Sequence, residues 1–316
     1  MQQRSTGEDD TAEPGGDDPG RARRFVDGDG GLRVAVYERN RDATDSVLLV
    51  HGYPDDHTVW DPVVDLLADR FHVITYDVRG AGASGVPDAV AGYRLDALTG
   101  DVAAVIDATV PAGRRVHLVG HDWGSIQGWH FVCDVRVAPR IASFTSISGP
   151  HLDAVGAWFR REGTSAPSLA SVVRQGLKSW YIGAFQVPIL APAFWRSGFA
   201  RRAWPGVLEH AEGVPPQRLP DGDKIAGTQS DGANGVGLYR ANVLSALTHP
   251  RRIHTDVPVQ VVMPLRDRYV SPELAECVDG VADDLVFVRV DGGHWLPLSD
   301  PERVAELVTE HIERHR

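Results

Sequence analysis

Lysine is almost missing from this chain: Lys178 and Lys224 are the only two among 32 basic residues. Arginine supplies the rest, a coding bias to which no function attaches. Cysteine is as scarce. Cys133 and Cys277 stand alone, too few for a disulfide framework or a four-cysteine metal site, and a reducing cytoplasm is the default expectation. No apolar run approaches the ~18–20 residues that a membrane helix needs, so no integral membrane segment is expected. Net positive charge is also lacking. The formal charge is −11, which argues against nucleic acid, because phosphate binding calls for a basic face. The first 20 residues carry Arg4 against six acids, Glu8, Asp9, Asp10, Glu13, Asp17 and Asp18. A signal peptide would need a basic start and an apolar stretch. With Pro14, Gly15, Gly16 and Pro19 added, residues 1–24 read as a disordered acidic tail that buries too little apolar area to order itself.

What is present is enough for a large core. The 316 residues are 42% hydrophobic and 24% charged, ordinary values for one globular α/β domain with an insertion. Beyond residue 25, short apolar runs alternate with helical stripes. Strands are expected over 33–38, 46–51, 73–77, 116–120 and 142–148. Helices are expected around Trp60–Phe71, Leu98–Ile106 and after Gly124. From His151 to Leu247 strand signals are few, apolar residues recur at helical spacing, and prolines interrupt. The alternation resumes at 257–263 and 285–290. A last helix follows, with Ser299 and Glu302 as a possible capping box and Val304, Leu307 and Val308 facing inward. Strands alternating with helices imply a mostly parallel sheet covered on both faces. The expected organisation is a core over 25–150 and 248–316, split by a helical cap over 151–247.

The chemistry-bearing signals lie at strand ends. Gly120-His121-Asp122-Trp123-Gly124 follows an apolar strand and precedes a helix, the context of a nucleophile elbow. The flanking glycines permit crowding that a Cβ would block. At the apex stands Asp, where an esterase would have Ser. A carboxylate attacks a saturated carbon and forms an alkyl ester, which water then cleaves at its carbonyl. Asp122 could instead be only the N-cap of the following helix, but two flanking glycines and the later partners make that reading insufficient. His51-Gly52-Tyr53-Pro54 ends another buried strand. Its turn can aim the Tyr53 N–H at the top of the sheet, and the Trp123 N–H would point to the same spot, together an oxyanion hole. His294, in Gly292-Gly293-His294-Trp295, sits late in the chain after a strand, as a general base does in the order nucleophile, acid, histidine. Asp267, after the strand ending near Met263, could orient the His294 ring, or only pair with Arg266 or Arg268. Asp283 and Asp284 precede a strand and so belong at the opposite edge.

Two other patterns carry less. Gly80 to Gly85 fits G-x-G-x-x-G, but Pro87 and a loop follow where a helix should open, so no dinucleotide is assigned. His311 and His315 are four apart on the last helix without H-E-x-x-H, and are expected to be fraying surface residues.

Taken together, His51-Gly52-Tyr53-Pro54, the turn Asp77 to Ser84, Gly120 to Gly124, Asp267 and His294 make the chain resemble the α/β-hydrolase superfamily over residues 25–316. Within it the chain resembles epoxide hydrolases and their haloalkane-dehalogenase relatives. It is most similar to bacterial epoxide-hydrolase-like proteins, some of which carry a dehydrogenase domain fused at the C-terminus; the sequence ends before such a domain would begin. The resemblance implies an α/β-hydrolase fold with an inserted helical cap. It implies two cap tyrosines that hold the epoxide oxygen, which match Tyr181 in Trp180 to Gln186 and Tyr239 in Leu238 to Asn242, although most tyrosines in a helical lid are packing residues. Phenols suit the role, since they can donate to a developing alkoxide. Dehalogenases of this kind often have Asn where Tyr53 stands, and haloacetate dehalogenases have Arg where Trp123 stands; both departures favour the epoxide over the halide.

The expectation is therefore a cofactor-independent, metal-free epoxide hydrolase whose partners are a small hydrophobic epoxide and water. Trp180, Trp195 and Trp204 suggest an apolar cap. A haloalkane-dehalogenase-like hydrolase is the alternative within the fold. A non-catalytic ligand-binding protein on the same fold is the alternative from another class.

Overall fold

The computed structural model describes residues 22–160, 167–220 and 222–316. Its strands are β1 (Ala22–Asp27), β2 (Arg33–Arg39), β3 (Ser46–Val50), β4 (His72–Tyr76), β5 (Val116–His121), β6 (Ile141–Ile147), β7 (Val259–Pro264) and β8 (Leu285–Val290). They form one sheet in the order β1-β2-β4-β3-β5-β6-β7-β8. β2 runs antiparallel to both of its neighbours, and every other pairing is parallel. Strands β3 to β7 are buried along their whole length. That is why Ser46–Val50 reads as a continuous apolar run with no alternation: helices cover both faces of a parallel sheet.

The covering helices are α1 (Asp61–Leu67), α2 (Leu95–Thr109) and α3 (Trp123–Cys133), followed after the insertion by the short turns α10 (Pro272–Ala275) and α11 (Leu296–Ser299) and by α12 (Pro301–Arg314). Between β6 and β7 the described chain is helical: α4 (Leu152–Phe159), α5 (Leu169–Lys178), α6 (Trp180–Phe185), α7 (Leu190–Arg196), α8 (Phe199–Gly206), a π-helical turn at Val207–Ala211 and the long α9 (Gly222–Thr248). This is the mostly parallel α/β sheet with an inserted helical segment that the sequence pattern implies. Among the described residues no helix is long and apolar enough to cross a membrane.

α9 is where the inserted helices dock on the core, and its glycines explain how. A Cβ on Gly235 would lie 2.7 Å from the Tyr53 ring, and one on Gly237 would lie 2.4 Å from the Tyr93 ring. Asn242 of α9 adds a polar staple, accepting from Leu95 N at 3.0 Å and donating to Tyr93 O at 2.8 Å.

Four expectations change. The N-terminal tail was placed at 1–24, but Ala22–Asp27 forms the edge strand β1, because Arg23 to Val26 can pair with β2 while Arg33 lies over the Phe25 ring at 4.0 Å. The rest of the expected tail, 1–21, lies outside the described residues. The last helix is capped by Asp300, which accepts from Arg303 N at 3.1 Å, and not by Ser299, which closes the preceding turn. His311 does not fray: it falls on the Val304, Leu307 and Val308 face of α12 and is buried with them. Finally, Trp180 is 73% exposed, whereas Trp195 and Trp204 pack inside.

Candidate active site

The carboxyl ends of β3, β5, β7 and β8 converge on one point, the edge where open α/β sheets bind ligands. At the end of β5 the chain turns sharply into α3. Asp122 sits at the apex with φ 51° and ψ −118°, a conformation that a non-glycine residue holds only at a cost of about 1–3 kcal/mol. The turn is tight enough to exclude side chains on both sides. A Cβ on Gly124 would lie 2.0 Å from the Val50 carbonyl oxygen, and one on Gly120 would lie 2.4 Å from that of Gly124. The Asp122 carboxylate does not cap α3. It points instead to the groups that follow.

Asp122 Oδ1 accepts the Tyr53 N–H at 2.8 Å. Asp122 Oδ2 lies 3.4 Å from His294 Nε2, and His294 Nδ1 donates to Asp267 Oδ2 at 2.9 Å. The second oxygen of Asp267 accepts Tyr269 N at 2.7 Å and Val270 N at 2.9 Å. The structure thus brings Asp122, His294 and Asp267 into one chain of contacts, with the Tyr53 N–H at its head. Trp123 N–H makes no hydrogen bond to the Asp122 carboxylate. As the first residue of α3 it belongs to the helix end whose amides have no intrahelical acceptor. Asp267 pairs with the histidine rather than with Arg266 or Arg268. Asp283 and Asp284 lie at the other edge of the sheet, before β8.

Burial decides the electrostatics. Desolvation alone would keep His294 neutral. The charge of Asp267, the hydrogen bonds to Asp122 and Asp267 and the charge of Asp122 together outweigh it, so the imidazolium is held well above its ordinary pKa. Burial would also raise Asp267, but the His294 charge and hydrogen bond, with the two backbone N–H groups, keep its carboxyl below the usual range.

Above Asp122 lies a cavity of about 380 Å³. Its walls are largely apolar, with Leu152, Phe159, Val243 and Leu247 among them. Tyr181 of α6 and Tyr239 of α9 line it together with Asp122, their ring centroids 6.2 Å apart. Tyr239 also meets the Trp123 ring edge-on at 4.8 Å and the Tyr53 ring at 5.3 Å. Burial, then the Asp122 charge, pushes the Tyr181 phenol up; burial, then Tyr181 and Asp122, does the same for Tyr239. Both hydroxyls are therefore protonated donors at neutral pH.

Sequence reading assigned no role to four residues that hold this arrangement. His121 Nε2 donates to the His294 carbonyl at 2.9 Å. Its own pKa is lowered to about 4 by burial and by the neighbouring His294 charge. Glu212, from the inserted segment, accepts the His294 N–H at 2.9 Å, and its other oxygen has no hydrogen-bond partner. Asp55 accepts the Trp295 indole N–H at 2.8 Å. Burial raises Asp55 to about 7 against that hydrogen bond, and the Asp122 charge adds to the rise. Tyr269 packs its ring 4.7 Å from His294. The available signals were the position of His121 inside the elbow motif and that of Asp55 directly after His51-Gly52-Tyr53-Pro54; Glu212 is a single carboxylate with no pattern around it. The Asp56, His57 and Asp77 cluster has ligand-like spacing. Yet Asp77 already accepts from His57 and from Tyr37 OH and Ala83 N, so it reads as a hydrogen-bonded core network.

Residues 47–307 match the model of the alpha/beta hydrolase family. The chain belongs to that family. It is 34% identical over 299 residues to "Probable oxidoreductase EphD" of Mycobacterium tuberculosis, covering 92% of this chain and 49% of that protein. It is also 34% identical over 171 residues to "Epoxide hydrolase A" of Mycobacterium tuberculosis, covering 54% of this chain and 49% of that protein. The chain thus spans about half the length of these curated relatives. Among solved structures, an epoxide hydrolase of Bacillus megaterium in complex with an inhibitor superposes with a TM-score of 0.72 at 20% identity, covering 92% of this chain and 100% of that one. At that identity the likeness speaks for the fold.

Proposed function

We propose that this α/β-hydrolase opens epoxides through an ester on Asp122 and hydrolyses that ester to a vicinal diol. The observation that carries the reading is the pairing of an aspartate at the elbow apex with two protonated phenols across an apolar cavity. Core residues 25–150 and 248–316 would then hold the nucleophile, base and acid, and the cap over 151–247 would hold the oxygen-binding pair.

In the first step Asp122 attacks an epoxide carbon. The carbon–oxygen bond breaks, and the leaving oxygen takes a proton from Tyr181 or Tyr239 as its charge develops. The second step needs a neutral imidazole. The resting arrangement opposes that, because Asp122 and Asp267 both favour the imidazolium. Esterification removes the Asp122 charge, so the pKa of His294 falls when a base is required, and the proton it gives up makes good the one the tyrosine lost. His294 then takes a proton from water, Asp267 stabilises the resulting imidazolium, and the hydroxide attacks the ester carbonyl. Negative charge collects on the oxygen that the Tyr53 N–H already holds at 2.8 Å, with the Trp123 N–H as the second donor. As the intermediate collapses, the departing alkoxide takes the proton of the added hydroxyl, so the diol leaves, Asp122 is again a carboxylate and His294 is again the imidazolium.

A panel of epoxides and haloalkanes tests the reaction class. Diol release supports the proposal, halide release replaces it with dehalogenation, and neither product points to a ligand-binding role. A single turnover in ¹⁸O-water tests the route. The label belongs in Asp122, with the first diol unlabelled; label in the first diol means direct attack by water.

A further inference from the structure

Helix α5 is built inside out. Its inward side is polar: Gln175 is buried, donates to Tyr269 O at 2.7 Å and accepts from Ser271 N at 3.2 Å. Lys178 Nζ donates to Asp267 O at 3.1 Å. The helix is thus bolted through polar groups to the loop that carries Asp267. Its apolar stripe faces away. Leu169, Val173 and Leu177 recur every four residues and Trp180 continues the line; they are 63%, 55%, 72% and 73% exposed. Farther along the same insertion Ile189, Phe194 and Phe199 are exposed as well. An aligned run of large apolar side chains in water marks a surface that something covers.

Charge says what covers it. From Pro167 to Gly206 the chain has five basic residues, Arg174, Lys178, Arg196, Arg201 and Arg202, and no Asp or Glu, in a protein whose net charge is −11. Arg174 pairs with Glu273. Arg196, Arg201 and Arg202 form no ion pair among the described residues. A second copy meeting this face with its own would set like charge against like. A bilayer with anionic headgroups answers both features, since basic side chains seek the headgroups while Trp, Leu and Phe enter the acyl boundary.

We infer that the outer face of α5 and the segment after it docks on an anionic lipid surface, and that the substrate reaches the site from that surface. The second clause rests on the proposed function. It follows from position: Gly176 and Ser179 at the end of α5, and Gly183 of α6, line the cavity over Asp122. The substrate class is then an epoxide dissolved in the bilayer, carrying a hydrocarbon chain.

The test is flotation with extruded vesicles of phosphatidylcholine, with and without half phosphatidylglycerol. The full chain should float with the anionic vesicles about tenfold better than with the neutral ones, and 0.5 M salt should erase most of the difference. The variant L177D/W180D should lose flotation by about tenfold or more, and R196E/R202E, at two exposed arginines, should lose the anionic preference. Both alter exposed side chains, so circular dichroism and turnover of a water-soluble epoxide should match the parent. Absence of flotation, or flotation indifferent to these substitutions, overturns the inference. So does a dimer in light scattering that L177D/W180D converts to a monomer. Flotation, circular dichroism and light scattering do not depend on the reaction class. If flotation holds and no epoxide turns over, the surface stands and the proposed function falls.

Discussion

Strand β5 in the core and helix α5 in the insertion both end beside the proposed reacting groups, yet they treat their apolar side chains in opposite ways. Val116, Leu118 and Val119 of β5 are buried, and the strand delivers Asp122 as a by-product of that burial. Leu169, Val173 and Leu177 of α5 are exposed, and the helix is held by Gln175 and Lys178 against the Asp267 loop. In the core the hydrophobic effect sets the position of the site. In α5, polar contacts set the position and the hydrophobic face is left over, whereas α9 of the same insertion packs its apolar residues into the core. Changes on the two sides should therefore fail differently, the core ones in chemistry and the inserted ones in ring opening, access or alignment.

The largest effect is expected in the core. Asp122→Ala should abolish turnover, a loss of about 10⁴-fold or more, as for other nucleophiles that act as part of a unit. His294→Gln should still permit alkylation but not hydrolysis. Intact-protein mass spectrometry should then find the substrate's mass added to the chain. Normal turnover by His294→Gln would mean that the core does not supply the base.

The tyrosines come next, and they test whether the insertion takes part in chemistry at all. Tyr181→Phe and Tyr239→Phe should each slow ring opening, and the double variant should be nearly inactive on epoxides, because losing a general acid typically costs ~10²–10⁴-fold. Ring volume is unchanged, so thermal stability should hold. Rapid mixing with Trp fluorescence isolates the alkylation step. A double variant that opens epoxides at the parental rate would reduce both rings to packing.

This division also explains what the sequence makes legible. In a parallel sheet, burial forces apolar runs, and the candidate functional residues then fall just beyond their ends. Asp122, Asp267 and His294 could be read that way, and so could the strands from β2 to β8 within a few residues. β1 could not: an edge strand of Arg23, Arg24, Phe25 and Val26 is half exposed and carries no apolar run. Tyr181 and Tyr239 came only through family resemblance, because helical spacing does not say which aromatic faces a cavity. The orientation of α5 was illegible for a physical reason. Amphipathic spacing finds the stripe, and the usual inference turns that stripe inward. Here the burial rule is reversed.

A smaller effect concerns pH and the coupling inside the core. Asp122 and Asp267 both raise His294. Asp122→Asn, which removes the charge as esterification would, should lower the His294 pKa, and Asp267→Asn should lower it further. Imidazole ¹⁵N shifts followed by pH measure both. The sign for stability follows. Because its folded pKa is raised, His294 contributes stability that is complete below about 6.5, its unfolded value, and is lost as pH rises through the folded value. Asp267, lowered, contributes above about 3.9 and loses it as pH falls through its folded value. Urea midpoints should therefore show Asp122→Asn less stable than the parent at neutral pH, where the imidazolium is charged, with the deficit shrinking as pH rises through the folded His294 value. An unchanged His294 titration would mean that the 3.4 Å contact between His294 and Asp122 carries no coupling.

The smallest effect is expected where the two regions touch through one side chain. Glu212 reaches from the insertion to accept the His294 N–H, and a Cβ on Gly293 would lie 3.0 Å from its Oε2. Burial raises the pKa of Glu212, against the His294 hydrogen bond and charge. Glu212→Gln keeps the length and an accepting oxygen, so the His294 backbone stays satisfied. The charge near the imidazolium disappears, with the 3.9 Å contact to Arg268, and kcat should fall by less than about tenfold, with the acid limb of the pH profile, set by deprotonation of His294, moving to lower pH. Glu212→Ala also strips the acceptor from a buried N–H, which costs about 1–3 kcal/mol. Its urea midpoint should drop while the hydrolysis step slows more than alkylation, because the displaced group is the base and not the nucleophile. If Glu212→Gln is as damaging as His294→Gln, the carboxylate shares in the proton transfer. The hydrolytic step, assigned to core residues alone, would then draw on the insertion through Glu212.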